Sequence, residues 1–275
     1  INEVTHSEKA KNIIENRPKL FKGLGKIEKF DPIHIKLDND NKPFNVGAPR
    51  NVAIPLLNPL IKEIKRMETL GVIKKVDEPT PWCHPIVPVI KPNGSIRICI
   101  DLTKLNKSVQ RELYELEAIE ETIAKLGDNC KIMSKLDLNS GYYQMPLDQP
   151  SQLLTTFITP IGRYCMTVGP FGLSSMQEIF NKRLDTILQG LKGVSKSTDD
   201  ILVYGRNDTE HQTNLDALLD RLEQYNITLN PNKCCFQQKE VDFLGVKITP
   251  DSIKPIPLKL EAVRNFKCPE NITEF

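Results

Sequence analysis

The chain lacks several features, and each absence removes a class of explanation. No stretch approaches the ~18 consecutive apolar residues of a membrane helix. The opening INEVTHSEKAKN is too polar for a secretory leader. The four histidines, at 6, 34, 84 and 211, are scattered without ligand spacing. The seven cysteines (83, 99, 130, 165, 234, 235 and 268) are odd in number and include no CxxC pair. Zinc and a disulfide framework therefore have little support, and a reducing intracellular setting fits better. Net charge is only +2, from 37 basic and 35 acidic residues, and there is no repeat or low-complexity tract. The one tryptophan, Trp82, reads as a packing residue, and Cys234-Cys235 as strand packing.

What is present is ordinary for a folded protein: 39% hydrophobic and 26% charged residues in a chain of 275. That length predicts roughly two domain-sized units. A first residue of Ile and an end at NITEF lead us to expect a piece of a longer protein. Charge is uneven locally. Lys91, Arg97, Lys104, Lys107 and Arg111 stand against one acid, Asp101, before ELYELEAIEE of residues 112–121, which carries five Glu and no base. A phosphate-binding face beside a solvated helix and an ordinary alternating surface both fit this pattern.

Periodicity predicts the elements. Residues 1–45 are lysine-rich and weakly periodic, so an extension with little core of its own is expected. IPLLNPLIKEIKRMETLG places Leu60, Ile64 and Met67 on one helical face and closes on Gly71. HPIVPVIK and SIRICI around PNG form a hairpin. A second helix carries Leu116, Ile119, Ile123 and Leu126, and KIMSKLDL is a buried strand ending at Asp137. TTFITP and GRYCMTV pair as strands, SSMQEIFNKRLDTILQG is a helix, and NDTEHQTNLDALLDRLEQYN turns Leu215, Leu218, Leu219 and Leu222 inward. Strands at CCFQQ and VDFLGVKI follow. The class is α+β, with helices on one face of an antiparallel sheet.

KSTDDILVYG then poses a question, because Asp199 and Asp200 sit together just before an apolar strand. A turn explains them. So does a cation site: were Asp137 to lie on a neighbouring strand, three carboxylates would converge at one sheet edge. Hard divalent ions take such oxygen ligands, and two of them, roughly 3.5–4 Å apart, serve phosphoryl transfer.

Seven ordered blocks carry a resemblance: RICIDLTKLN (97–106), SKLDLNSGYYQMPL (134–147), LLTTFITPIGRYC (153–165), PFGLSS (170–175), TDDILVYG (198–205), LNPNKC (229–234) and VDFLGVKI (241–248). Together they resemble the reverse transcriptase domain of gypsy-type LTR retrotransposons and, more distantly, of retroviruses, from about residue 18 onward. The resemblance implies an RNA-directed DNA polymerase with a right-hand fold. Its parts would be an extension (1–45), fingers (46–110 and 145–175), palm (111–144 and 176–248) and the start of a thumb or connection (249–275). It implies catalytic carboxylates at Asp137, Asp199 and Asp200, which with the Leu138 carbonyl would hold two Mg²⁺ or Mn²⁺ ions.

Further roles come the same way. Arg97 falls where the family grips the triphosphate, and Lys91 on the same hairpin is a second candidate. Tyr142 occupies the position that rejects a ribose 2′-hydroxyl, although Tyr143 beside it competes for that assignment. Phe171 and Gly172 resemble the loop beneath the incoming base, and Lys233 matches a lysine near the leaving pyrophosphate. Phe243, Leu244 and Gly245 resemble the hairpin that positions the primer 3′ end. For each of these the plain alternative is a strand, core or surface residue. Expected partners are a primed RNA or DNA template and deoxynucleoside triphosphates, with no membrane. The setting expected is a cytoplasmic retroelement particle, in a polyprotein with protease, ribonuclease H and integrase.

Three departures stand out. Ser197 replaces the usual aromatic or histidine two residues before the Asp pair, Gly169 replaces an apolar residue, and Met176-Gln177 replaces Ala-Pro. An inactive nucleic-acid-binding remnant is therefore the alternative. A metal-dependent nuclease has less support, since no additional Glu/His block accompanies the three acids.

Overall fold

The computed structural model describes residues 8–114, 119–126 and 130–256. The chain opens with α1 (Glu8–Asn16) and α2 (Pro18–Phe21), the latter begun by a proline whose missing N–H is no loss at a helix start. An irregular strap follows. Ile27 N–H donates to the Gln144 carbonyl at 2.7 Å, Ile33 N–H to the Pro146 carbonyl at 2.8 Å, and Gly25 N–H to Thr228 Oγ1 at 2.8 Å. Leu20, Phe21, Ile27, Ile33 and Ile35 are buried in the main core. The extension expected to have little core of its own is packed into a core supplied largely by the rest of the chain. The strap lies on surfaces made by distant residues, so its apolar spacing has no period of its own to read.

Helix α3 (Ile54–Thr69) buries Leu60, Ile64 and Met67 and stops at Gly71, whose φ of 71° suits glycine. Next come β1 (Ile73–Lys75), β2 (Ile86–Ile90) and β3 (Ile96–Ile100). The β2–β3 turn has Pro92 second and Gly94 fourth, with Gly94 N–H donating to the Lys91 carbonyl at 2.8 Å. Trp82 is buried and stacks on His84. Helix α4 (Thr103–Asn106) and helix α5 (Ile119–Leu126) precede β4 (Ile132–Asp137). Leu116 lies outside the described residues.

After β4 a 3₁₀ turn (Gly141–Gln144) leads to α6 (Gln149–Leu154), whose N-cap Asp148 accepts from Ser151 N–H. Strands β5 (Phe157–Thr159) and β6 (Gly162–Met166) form a hairpin that β1 joins on the other side of β6. Then come α7 (Met176–Leu188), β7 (Val194–Ser197), β8 (Asp200–Gly205) and α8 (Asp208–Gln224), with Leu215, Leu218, Leu219 and Leu222 fully buried. Strands β9 (Cys235–Gln238), β10 (Val241–Phe243), β11 (Val246–Ile248) and β12 (Ile253–Pro255) complete the described chain. The rest of the expected 249–275 segment, from 257 on, lies outside it.

The central sheet has the order β7-β8-β4-β9, all antiparallel. Side chains alternate across a strand, so β4 and β8 present two faces. Leu136, Ile201 and Val203 join the main core with the α8 leucines. Met133 and Leu202 join a second core with Leu126, Val241, Phe243 and Ile248, under the β10-β11-β12 sheet.

Candidate active site

Register brings the acids together. β4 runs antiparallel to β8 with Asp137 directly opposite Asp200. Ser197 pairs with Asp200 across the β7–β8 hairpin, leaving Thr198-Asp199 as a two-residue turn. The turn and the convergence posed as alternatives by the sequence thus coexist. Thr198 sits at φ 49°, and left-handed backbone at a β-branched residue is a strain of about 1–3 kcal/mol that clusters at working sites. Leu138 N–H donates to the Asp199 carbonyl at 3.0 Å, tying the end of β4 to this turn.

The carboxylates find different partners. Lys233 Nζ lies 3.1 Å from Asp137 Oδ2, and Lys135 Nζ lies 2.9 Å from Asp200 Oδ2. Asp199 Oδ1 is buried with no hydrogen-bond partner. Burial pushes the Asp137 carboxyl up, against the pull of Lys233. Asp199 is pushed up by burial and then by the charges of Asp137 and Asp200. Among the described residues, no three His, Cys, Asp or Glu side chains form a closed metal-binding group. Lysine ammoniums take up one oxygen each of Asp137 and Asp200. The orphaned Asp199 oxygen and an all-carboxylate donor set nevertheless suit a hard cation of the Mg²⁺ kind. Glycine at 141 is a steric necessity here, since a Cβ would lie 2.9 Å from Asp199 Oδ1 and 2.8 Å from the Phe180 ring.

The tyrosines separate by their charged neighbours. Tyr142 feels the charge of Asp199 and packs its ring against Phe171 (5.0 Å) and Phe180 (5.3 Å, edge-on). Tyr143 feels Glu63, Arg66, Cys99 and Arg97, and its phenol is pushed up to about 12, chiefly by burial. Phe171 contacts both rings and stays 46% exposed. Gly172 has φ 89°, and its carbonyl accepts from Asn106 Nδ2 at 2.8 Å while Asn106 Oδ1 accepts from Ser174 N–H at 2.9 Å. One side chain thus clamps the PFGLSS loop. Arg97 is exposed on β3 opposite Val89. Lys91 stands at the turn end of that hairpin, its N–H on the Ser95 carbonyl (2.8 Å).

Leu244 and Gly245 have φ of 54° and 77°, the two left-handed residues of a type I′ hairpin turn. Phe243 is 1% exposed inside the second core, which is the plain core alternative for that residue. It anchors the hairpin, and only Leu244-Gly245 forms the tip.

Two of the sequence departures turn out to be complementary. A Cβ on Gly169 would collide with the Met176 terminal methyl and lie 3.0 Å from the Tyr142 carbonyl. Met176 thus fills the space that a side chain at 169 would occupy. Sequence reasoning missed Lys135, Asn106, Gly141 and Gln144. Gln144 is buried, donating to the Asn139 and Thr228 carbonyls (both 2.9 Å) and accepting from Thr228 N–H (2.8 Å). Lys135 alone had a readable signal, since two residues before Asp137 on a strand means the same face.

Comparisons with known proteins agree with this geometry. The profile described as "Reverse transcriptase (RNA-dependent DNA polymerase)" matches residues 89–248. The Retrovirus-related Pol polyprotein from transposon 297 of Drosophila melanogaster is 31% identical over 212 residues, 75% of this chain and 20% of that protein. The Transposon Tf2-3 polyprotein of Schizosaccharomyces pombe is 29% identical over 264 residues, 94% of this chain and 19% of that protein. The chain thus spans about a fifth of the length of the curated relatives it matches. Among solved structures, a foamy viral protease-reverse transcriptase in complex with double-stranded DNA superposes with TM-score 0.83 at 22% identity, covering 99% of this chain and 49% of that one. The same viral protein with an RNA/DNA hybrid gives TM-score 0.82 at 20% identity, covering 99% and 37%. At these identities the likeness shows the right-hand polymerase fold.

Proposed function

The chain belongs to the reverse transcriptase (RNA-dependent DNA polymerase) family, and from that premise we propose that it is the polymerase portion of a gypsy-type retrotransposon Pol polyprotein. It adds deoxynucleotides to a primer 3′-hydroxyl on an RNA or DNA template, with release of pyrophosphate. The observation that carries this reading is Asp137 directly opposite Asp200, with Asp199 on the adjoining turn.

Reverse transcriptases generally use divalent metals. In this chain the carboxylates of Asp137, Asp199 and Asp200 and the Leu138 carbonyl would hold two Mg²⁺ or Mn²⁺ ions, which when bound supply charge neutralisation at the transferring phosphate. The chain's own groups orient the reactants. Arg97, with its planar fork of donors, holds the triphosphate, and Lys91 assists from the same hairpin. The partly exposed Phe171 packs beneath the incoming base and Gly172 lets the backbone approach it. Tyr142, wedged between Phe171 and Phe180, limits space for a ribose 2′-hydroxyl. Lys233 reaches the region where pyrophosphate leaves, and Leu244-Gly245 lies along the primer terminus. The catalysis is positioning and electrostatic stabilisation, with no covalent enzyme intermediate.

In this reading residues 46–110 and 145–175 are fingers, and 111–144 and 176–248 are palm. Residues 249–275 begin a thumb or connection. The two foamy viral neighbours are complexes with double-stranded DNA and with an RNA/DNA hybrid, which supports a primed template as the partner here. Protease, ribonuclease H and integrase would share the polyprotein, in a cytoplasmic particle. Among the described residues no helix is long and apolar enough to cross a membrane.

Primer extension on poly-rA/oligo-dT with Mg²⁺ or Mn²⁺ tests the proposal. Wild type incorporates dTMP and Asp199→Asn does not. Incorporation that survives the substitution removes Asp199 from the mechanism. Duplex binding by wild type without incorporation establishes the remnant instead, the reading that Ser197 motivates.

A further inference from the structure

The acidic face of β4 reads Met133, Lys135, Asp137. Met133 is fully buried against the second core, together with Leu202, the residue directly across from Lys135. An apolar residue would suit position 135. A lysine stands there instead, its side chain only 25% exposed, against 60% for Lys233. A partly covered ammonium needs acceptors, and this one has two. Lys135 Nζ lies 2.9 Å from Asp200 Oδ2 and donates to the Asp242 carbonyl at 3.1 Å. Asp200 belongs to the carboxylate cluster. Asp242 is in β10, two residues before the Leu244-Gly245 tip. The second bond goes to backbone, so it does not depend on the side chain of Asp242, which lies 3.8 Å from Lys247.

One ammonium therefore crosslinks three strands: β4, which carries it, β8 through Asp200, and β10 through Asp242. Lys233 makes no comparable link to β10, since its ion pair is with Asp137 alone among the described residues. β10 and β11 otherwise rest on the apolar contacts of the second core, which are non-directional and set no register along the strand, and on Lys131 ahead of β4. Lys131 donates to the Pro250 carbonyl at 2.8 Å and lies 3.2 Å from Asp251, at the end of the hairpin away from its tip. A charge-assisted bond of fixed length does set one.

We propose that Lys135 is a positioning residue that holds the β10–β11 hairpin at a fixed distance from the carboxylates, and so sets where a primer 3′ terminus lies relative to the reacting centre. This rests on the polymerase reading above.

The test uses the full 275-residue chain and two variants. Lys135→Met keeps length and apolar bulk and removes both contacts, while Lys135→Arg keeps a donor for each. Thermal melts establish that each variant folds. In Lys135→Met, amides of residues 241–248 exchange with deuterium about tenfold faster while those of β8 are unchanged, a difference of ~1.4 kcal/mol in local opening. KM for primer–template rises about tenfold, KM for the nucleotide stays within about twofold, and extension of mismatched termini increases relative to matched ones. Lys135→Arg restores all three readouts. Unchanged hairpin exchange overturns the linkage. So does an equal rise in both KM values that arginine fails to reverse, which is what a merely structural residue would give. A wild type that incorporates nothing overturns the polymerase reading, and the exchange result then decides the crosslink by itself.

Discussion

The two faces of β4 and β8 are built for different ends. On one, Leu136, Ile201 and Val203 meet the leucines of α8 in a core where every one of these side chains is fully buried. On the other, Asp137 and Asp200 face each other, Asp199 keeps an oxygen without a partner, and Thr198 is held in the left-handed region. The first face follows the ordinary rules of burial. The second breaks three of them within a few residues: like charges adjoin, a buried acceptor is unsatisfied and backbone is strained. Concentrated violations of this kind mark a working site. The helix face supplies the stability that lets the other stay frustrated.

That contrast can be broken experimentally. The largest effect expected is on the acidic face, where Asp199→Asn lowers steady-state dTMP incorporation about 10³-fold or more, the scale of losing a main electrostatic stabiliser of a transition state. The same substitution raises the melting temperature by about 2–4 °C, because it removes a charge that burial and two neighbouring carboxylates disfavour. Activity and stability moving in opposite directions is the signature of that face.

On the helix face they move together. Leu219→Ala costs about 2–5 kcal/mol by cavity formation, read by urea denaturation, and incorporation falls only as far as the folded fraction does. Between these lies the Gly169–Met176 exchange. Gly169→Ala destabilises by about 1–3 kcal/mol through overpacking, and adding Met176→Ala restores most of the loss, a non-additivity that a double-mutant cycle measures. Additive effects would show that the two departures are unrelated and would favour a decayed copy.

The smallest effect is on pH dependence. Folding raises Asp137 and Asp199 above the ordinary aspartate value of 3.8. Between that value and the raised ones, the folded state binds more protons than the unfolded, so stability falls as pH rises through the window. Melts of metal-free protein from about pH 4 upward carry this downward contribution, and Asp199→Asn makes it shallower. An unaltered slope would mean that the fold does not raise the Asp199 carboxyl above its ordinary value.

Much of this architecture was readable one segment at a time. Leu60, Ile64 and Met67 recur at helical spacing and all face inward, and Gly71 ends that helix with the conformation its type favours. Pro92 and Gly94 take the turn positions their backbones suit. The strap of residues 20–35 was not readable, because its partners Gln144, Pro146 and Thr228 lie more than a hundred residues away and impose no period on it. The site divides the same way. The three acids were named by the ordered motifs they sit in. The burial of Phe243, the different charged neighbours of Tyr142 and Tyr143, and the fit of Gly169 to Met176 each depend on a neighbour supplied by another element.

By itself the sequence determined the elements, their punctuation and the family to which they belong, since helix period, strand alternation and turn chemistry act over a few residues. Only the tertiary structure decided which acids face each other, which lysine answers each of them, and that Lys135 reaches a second sheet. Those outcomes depend on strand register and on the docking of β10 against β4, and registers are settled by contacts between residues far apart in the chain.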